Sequence, residues 1–232
     1  MTQQTSIKPI VQNGTELSFI VDAKSHVFHR VELPDVFMEW VIAGRESMYD
    51  LLEGKGTAPF FEAHLPVVVT YSRNEPIPFN TGNKGVGLLP QEATLEQYCE
   101  LLDQTLDRTR DLPTKTSLPE RLRAARTMVQ RRDVSNRALV TLEIFEKQTF
   151  QNLCDFPVAT LHYTDRGPHY RSFQIDAVVE VLTAEHPVHR FAFLSRQLFE
   201  QDAFHITQTK FPYAYRFHPV KVRDKTPIRR RD

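Results

Sequence analysis

Two apolar stretches between residues 158 and 182 carry the clearest pattern of the chain. Both are rich in β-branched and aromatic residues, and they flank Asp165-Arg166-Gly167-Pro168. This composition is typical of two strands joined by a turn. If Thr164 pairs with His169, one face of the predicted hairpin holds Leu161, Tyr163, Tyr170 and Ser172, and the other holds His162, Phe173 and Ile175. Neither face is purely polar, so we expect other parts of the chain to cover both.

The N-terminal third predicts a small sheet followed by a helix. Three strand patterns occur at 7–11, 17–21 and 26–32, and they favour an antiparallel meander. Apolar residues then recur at helical spacing from 36 to 52, with Pro34 at a first-turn position. Gly44 weakens this pattern and leaves open a division into two helices.

The middle of the chain predicts a buried strand, a loop and two helices. The β-branched run 66–72 favours the strand, and the proline- and glycine-rich stretch 73–90 is typical of a loop. Capping-box patterns at 94–97 and 117–120 each predict the start of a helix. Together these helices form a predicted antiparallel helical hairpin over 94–132.

The remaining patterns complete an α+β prediction: a mixed, mainly antiparallel sheet flanked by helices. Residues 138–153 favour a strand ending near Glu146 and then a turn of helix. Residues 191–204 suit either a helix or a strand, and 211–222 predict a strand pair interrupted by Pro219. We expect one domain over 1–222, with 94–132 as a helical insertion, and a flexible basic tail over 223–232.

Composition indicates an ordinary globular protein. The chain has 232 residues, 41% hydrophobic and 25% charged, which argues against disorder. Its two cysteines lack the CxxC spacing of a zinc or redox motif, so a reducing compartment is expected. Neither a secretion signal nor a membrane-spanning run is recognisable, so we predict a cytoplasmic protein without a membrane partner. The oligomeric state stays open.

Positive charge is concentrated in two stretches of a chain that is neutral overall. Lys115 to Arg137 and Arg216 to Asp232 each contain seven basic and two acidic residues. Clustered arginines bind phosphate groups and acidic surfaces. We therefore predict a non-catalytic binding or assembly component without a cofactor, whose partner is nucleic acid or an acidic protein surface. The candidate binding residues are Arg121, Arg123, Arg126, Arg131, Arg132, Arg137, Lys221, Arg223, Arg229, Arg230 and Arg231. The alternative to a binding surface is that these arginines form a solvated helix face, paired with the acidic helix before it, and a solubilising tail.

Three other patterns suggest chemistry but have simpler structural explanations. Two His-x-x-His-Arg segments, 26–30 and 186–190, offer imidazoles to a metal. Histidines three apart on a strand face opposite sides, so we expect no metal site. The loop 82–87 lacks the GxxxxGK[ST] pattern of a phosphate-binding loop. The Glu143–Lys147 segment has the acid and lysine of a metal-dependent nuclease, but without an obvious second acid.

An enzyme is the alternative function. The helix at 36–52 followed by 64–69 and 76–79 resembles the helix-wrapped sheet of hot-dog thioester enzymes. That resemblance implies thioester chemistry, with Asp35, Glu39 and His64 as candidate catalytic residues. Another small-molecule enzyme with a His/acid site is also possible, with His162 and Asp176 as its general acid and base.

Overall fold

Two antiparallel sheets and five α-helices make up the part of the chain that the structure, a computed structural model, describes. The described residues are 6–56, 63–73, 75–165, 170–199 and 210–227. The strands are β1 (Val11–Asn13), β2 (Glu16–Val21), β3 (Lys24–His29), β4 (Val67–Tyr71), β5 (Phe79–Asn83), β6 (Gly87–Pro90), β7 (Val134–Leu142), β8 (Val158–Thr164), β9 (Ser172–Thr183) and β10 (Tyr213–Asp224). The helices are α1 (Asp35–Leu52), α2 (Leu95–Thr109), α3 (Thr114–Met128), α4 (Gln148–Asp155) and α5 (Pro187–Gln197). The predicted α+β class is confirmed.

The larger sheet has seven strands in the order β5-β4-β8-β9-β10-β7-β6, and every neighbouring pair is antiparallel. The smaller sheet is the predicted meander β1-β2-β3. The prediction of a loop over 73–90 is wrong in part, because β5 and β6 lie within it. Gly82 interrupts the alternation of β5, and Gly87 and Pro90 interrupt that of β6, so the sequence pattern does not show these strands.

The central hairpin forms from β8 and β9 as predicted, but its register is different. Thr164 pairs with Ser172 rather than with His169, and Tyr163 pairs with Phe173. A shift of the pairing by an odd number of residues exchanges the two faces of a strand. Phe173 and Ile175 therefore share a face with Tyr163, and the predicted placement opposite it is wrong. The connecting segment is longer than the predicted turn, and residues 166–169 within it lie outside the described residues.

Helix α1 covers this hairpin with aromatic side chains. The ring of Phe37 lies 5.1 Å from that of Tyr163 and 5.3 Å from that of Phe173, and the Trp40 ring lies 5.8 Å from Phe173. Edge-on contacts of this kind add to the free energy gained by burying the rings. The helix runs unbroken through Gly44, whose missing Cβ would come within 2.8 Å of the Ala63 Cβ. Glycine is therefore a packing requirement there, not a helix break.

The two middle helices form as predicted, and α2 begins where its capping box predicted, with Thr94 as N-cap, but α3 begins three residues before its predicted cap. Thr94 makes no side-chain cap hydrogen bond at α2, and α3 begins at Thr114, after Pro113. Ser117 is buried inside α3, where its hydroxyl donates to the Thr114 carbonyl. Leu102 and Leu122 of these helices belong to the main hydrophobic core. No helix among the described residues is long and apolar enough to cross a bilayer.

The C-terminal third contains a helix and one long strand. Residues 187–197 form α5, whereas 200–204 of the ambiguous segment lie outside the described residues. The predicted interruption at Pro219 is wrong, because β10 continues through it with a shift in register between Pro219 and Lys221. Proline lacks the N–H that a ladder requires, and a bulge accommodates it without ending the strand.

Candidate functional site

A four-residue segment, 30–33, separates two strands of the large sheet and shapes one end of the molecule. Strands β7 and β10 pair only as far as Phe217 with Leu139. Beyond that point the Val31 N–H donates to the Pro219 carbonyl at 2.8 Å, and the Leu33 N–H donates to the Asn136 carbonyl at 2.7 Å. The segment therefore satisfies backbone groups that the two diverging strands would otherwise leave unpaired.

A cleft of ≈ 670 Å³ opens beside this segment. Its walls come from the segment itself, the connection from β6 to α2, the start of β7, the first turn of α5 and one residue of β10. We call it the arginine cleft, because its lining includes Arg30, Arg131, Arg137 and Arg216. The lining also includes three carboxylates, Glu32, Glu92 and Glu96, and the imidazole of His186.

The arginines of the cleft differ in how far carboxylates compensate their charge. Arg137 donates through Nε and Nη2 to one oxygen of Glu32, at 2.9 and 2.7 Å. The guanidinium of Arg131 lies 2.7 Å from Asp35. In contrast, Arg30 has no ion-pair partner among the described residues, and its Nη2 donates only to the Gly14 carbonyl at 3.3 Å. The cleft thus holds one guanidinium without a carboxylate of its own.

Burial and neighbouring positive charge act on Arg30 in the same direction. Burial lowers the pKa of Arg30, and the charges of Arg137 and Arg216 lower it further, with only Glu92 opposing them. The positive charges of Arg137 and Arg216, which lower this pKa, also create a positive electrostatic potential around Arg30. An anion bound between these arginines would relieve that repulsion.

Arg216, which lines the cleft, also contacts a polar cluster that does not line it. The Glu180 carboxylate lies 3.2 Å from Nε2 of His218 and 4.0 Å from Nη1 of Arg216. Burial lowers the pKa of His218, and this effect outweighs the opposing influence of Glu180. The imidazole is therefore neutral at pH 7. Within the described part of the chain, the buried Nδ1 of His218 and Nε of Arg216 have no hydrogen-bond partner.

Acidification from pH 7 to 5.5 is expected to lower the free energy of unfolding, by up to about 1.4 kcal/mol per pH unit for one histidine. The pKa values of His218 and His186 are both lowered by burial. The unfolded chain therefore takes up protons near pH 6.5 while the folded chain does not. Chemical denaturation at several pH values measures this slope, and His218→Asn should reduce it. An unchanged slope in that variant would contradict a neutral, buried His218. Carboxylates with lowered pKa, such as Glu180, lose their contribution only below about pH 4.5.

The first turn of α5 completes the wall of the cleft. His186 is the N-cap, and its Nδ1 accepts a hydrogen bond from the Val188 N–H at 3.1 Å. Pro187 follows at the first helical position. A helix N-terminus carries a partial positive charge, which adds to the charge of the arginines.

The predicted arginines are distributed over several environments. Of those that the structure describes, only Arg131 and Arg137 line the cleft. Arg121 is buried and donates to Thr109 and to the Leu198 carbonyl, so it holds α3 in place. Arg123 is exposed on α3.

Several other predicted binding residues are paired with carboxylates of the chain itself. Arg126 contacts Glu46, Asp50 and Glu53 of α1 and the residue after it. Arg132 pairs with Asp133, and Arg223 pairs with Asp176. Lys221 is exposed, and Arg229, Arg230 and Arg231 lie outside the described residues. Arg30, which the sequence analysis did not select, has no ion-pair partner among the described residues, whereas Arg216 lies 4.0 Å from Glu180.

The candidate catalytic residues of the two enzyme hypotheses have separate contacts. Asp35 pairs with Arg131, Glu39 is exposed, and Nδ1 of His64 lies 3.1 Å from the Val86 carbonyl. His162 lies 3.3 Å from the Ser172 hydroxyl, whereas Asp176 accepts hydrogen bonds from Thr160 and Arg223. In the part of the chain that the structure describes, no three His, Cys, Asp or Glu residues form a group that could hold a metal ion.

The Glu143–Lys147 segment and the 82–87 loop meet in a buried cluster. Lys84 donates to Oε2 of Glu143 at 2.8 Å, and the Tyr215 hydroxyl donates to the same oxygen at 2.5 Å. The N–H groups of Phe145 and Glu146 donate to Oε1. Burial opposes ionisation of Glu143, but the charge of Lys84 and these hydrogen bonds lower its pKa. The carboxylate is therefore engaged on both oxygens, as in a structural ion pair.

Comparison with known proteins gives only distant similarity. The sequence matches no protein-family model and no curated protein. An FMN-binding protein from Syntrophomonas wolfei is 11% identical, with a TM-score of 0.40 over 84% of this chain and 97% of that chain. HupZ from group A Streptococcus is also 11% identical, with a TM-score of 0.40 over 78% of this chain and 93% of that chain. Similarity at this level assigns neither a family nor a ligand.

Proposed function

We propose that this protein binds a small, multiply charged anion in the arginine cleft. The observation that carries the proposal is Arg30, which is held near Arg137 and Arg216 without an ion-pair partner among the described residues. The cleft volume of ≈ 670 Å³ lies in the range of small-molecule sites. Binding an anion there would compensate charge that the fold leaves uncompensated.

A phosphate-bearing ligand fits the cleft best. Guanidinium groups donate paired hydrogen bonds that match the oxygens of phosphate. Arg30 lines the cleft and has guanidinium donors that no carboxylate among the described residues occupies. Phosphate and pyrophosphate are therefore suitable probes, and we expect pyrophosphate to bind more tightly because it contacts more of the arginines.

This proposal keeps the anionic partner of the sequence-based hypothesis and places the site in the cleft. The wider version, with nucleic acid or an acidic protein on the outer surface, depends on Arg123 and Lys221, which are exposed. A small anion depends on Arg30 and Arg216 instead. Substitutions can therefore separate the two versions.

Replacing Arg30 with glutamine is expected to weaken pyrophosphate binding about 10- to 100-fold, because one charge-assisted hydrogen bond is worth roughly 1.5–3 kcal/mol. Isothermal titration calorimetry at two salt concentrations measures the loss. The affinity of the unmodified protein should also fall as salt is raised.

Arg123→Gln is the matched control, because it removes the same charge from an exposed position outside the cleft. We expect its pyrophosphate affinity to equal that of the unmodified protein. Equal losses in both variants would contradict a site in the cleft. Binding of duplex DNA that depends on Arg123 and not on Arg30 would favour the surface version.

A further inference from the structure

A second cavity, of ≈ 610 Å³, adjoins the arginine cleft along α5. We call it the apolar pocket after Ala184, Pro187, Phe193, Phe211 and Pro212, which are five of its ten lining residues; Glu185, Arg190 and Lys210 also line it. The arginine cleft and the apolar pocket share two lining residues, Glu96 and Pro187.

Aromatic rings form the inner wall of the apolar pocket. The Phe193 ring lies 6.0 Å from the Phe211 ring and stacks on His189 at 6.5 Å. His189 itself is buried, and its Nε2 lies 2.6 Å from the Phe211 carbonyl, which fixes the ring. Phe193, in contrast, is half-buried. Its ring therefore offers a fixed apolar surface to a ligand.

The charges at the boundary between the two cavities are internally paired. Arg190 donates to Glu96 at 2.6 Å and also contacts Asp103. The Glu96 carboxylate, which lines both cavities, is therefore compensated by a cation of its own. It presents less repulsion to an anion that spans the boundary than an unpaired carboxylate would.

We infer that the natural ligand is an organic phosphate whose anionic group occupies the arginine cleft and whose aromatic or apolar group occupies the apolar pocket. This inference rests on the proposed function. Inorganic phosphate would occupy only the arginine cleft and leave the apolar pocket empty. An aryl phosphate would also bury its ring against Phe193, and burial of apolar surface adds affinity.

Phenyl phosphate is expected to bind at least about tenfold more tightly than inorganic phosphate at the same pH and salt concentration, as measured by calorimetry. Phenol is the control for the ring alone and should bind far more weakly than phenyl phosphate. Phe193→Ala should abolish the advantage of phenyl phosphate and leave inorganic phosphate unaffected. Ala184→Trp, at an exposed position on the pocket wall, should have the same effect by filling the pocket.

The outcomes separate this inference from the proposed function. If both phosphates bind with equal affinity and Arg30→Gln weakens both, the cleft binds anions but the inference about the apolar pocket is wrong. If neither phosphate binds, the proposed function fails as well. An advantage of phenyl phosphate that persists in both pocket variants would also overturn the inference.

Discussion

Replacing Glu143 with alanine is expected to lower the free energy of unfolding by about 3–5 kcal/mol, the range for breaking a buried ion pair. Only 2% of Glu143 is exposed, and its carboxylate accepts from Lys84, from the Tyr215 hydroxyl and from two backbone N–H groups. Alanine would leave the buried Tyr215 hydroxyl and the largely buried Lys84 ammonium without their acceptor, and two part-buried amides would lose theirs. Denaturation by urea measures the change.

Two further variants test the cause of that loss. Removing both charges with Glu143→Ala and Lys84→Met should recover part of the stability, because no uncompensated cation then remains. Glu46→Ala removes a more exposed carboxylate that pairs with Arg126, and it should change stability by only about 1 kcal/mol or less. A loss for Glu143→Ala as small as that for Glu46→Ala would show that the buried cluster does not contribute as described.

Phe37→Ala is expected to destabilise the protein by about 3–5 kcal/mol. Phe37 has no exposed surface and contacts Trp40, Tyr163 and Phe173. Removing its ring would leave a cavity between α1 and the central hairpin that the surrounding rings cannot fill. Thermal and urea denaturation should both report the loss.

Val36→Ala is the control for this prediction, because it shortens the side chain that precedes Phe37 in the same helix. Val36 is 46% exposed, so its truncation should change stability by about 0.5 kcal/mol or less. Similar effects of the two substitutions would contradict the packing of α1 on β8 and β9.

Elements with a long, regular pattern could be predicted from the sequence, whereas the pairing between them could not. Helix α1 follows from the apolar periodicity of 36–52, although Gly44 left open a division into two helices, and the strand at 66–72 follows from its β-branched residues. The register of β8 with β9 depends on the length of their connection, which the Asp165-Arg166-Gly167-Pro168 sequence suggested to be a tight turn. Ser117 shows a similar limit: its capping-box pattern is real, but Pro113 starts the helix earlier and tertiary packing buries the serine.

The candidate site could be predicted only in part, because it collects residues that are far apart in the chain. Arg131 and Arg137 were selected because they belong to a basic stretch. Arg30 follows β3, and Arg216 stands alone among the aromatic residues of β10. Arg216 begins the C-terminal basic stretch, but no local pattern distinguishes it from the other basic residues there. Its relation to Arg30 depends on the 30–33 segment entering between β7 and β10, which no local pattern encodes.

Because the 30–33 segment lies between β7 and β10, the stability of the N-terminal meander depends on its contacts with the large sheet. The Arg30 N–H donates to the Thr15 carbonyl of the meander, and the next amide donates to Pro219 of the large sheet. If β1–β3 separated from the large sheet, Arg30 would move with them and leave the cleft. If an anion binds in the cleft, its binding and the closure of the meander would be linked equilibria, so the anion would raise the free-energy cost of opening β1–β3 by mass action.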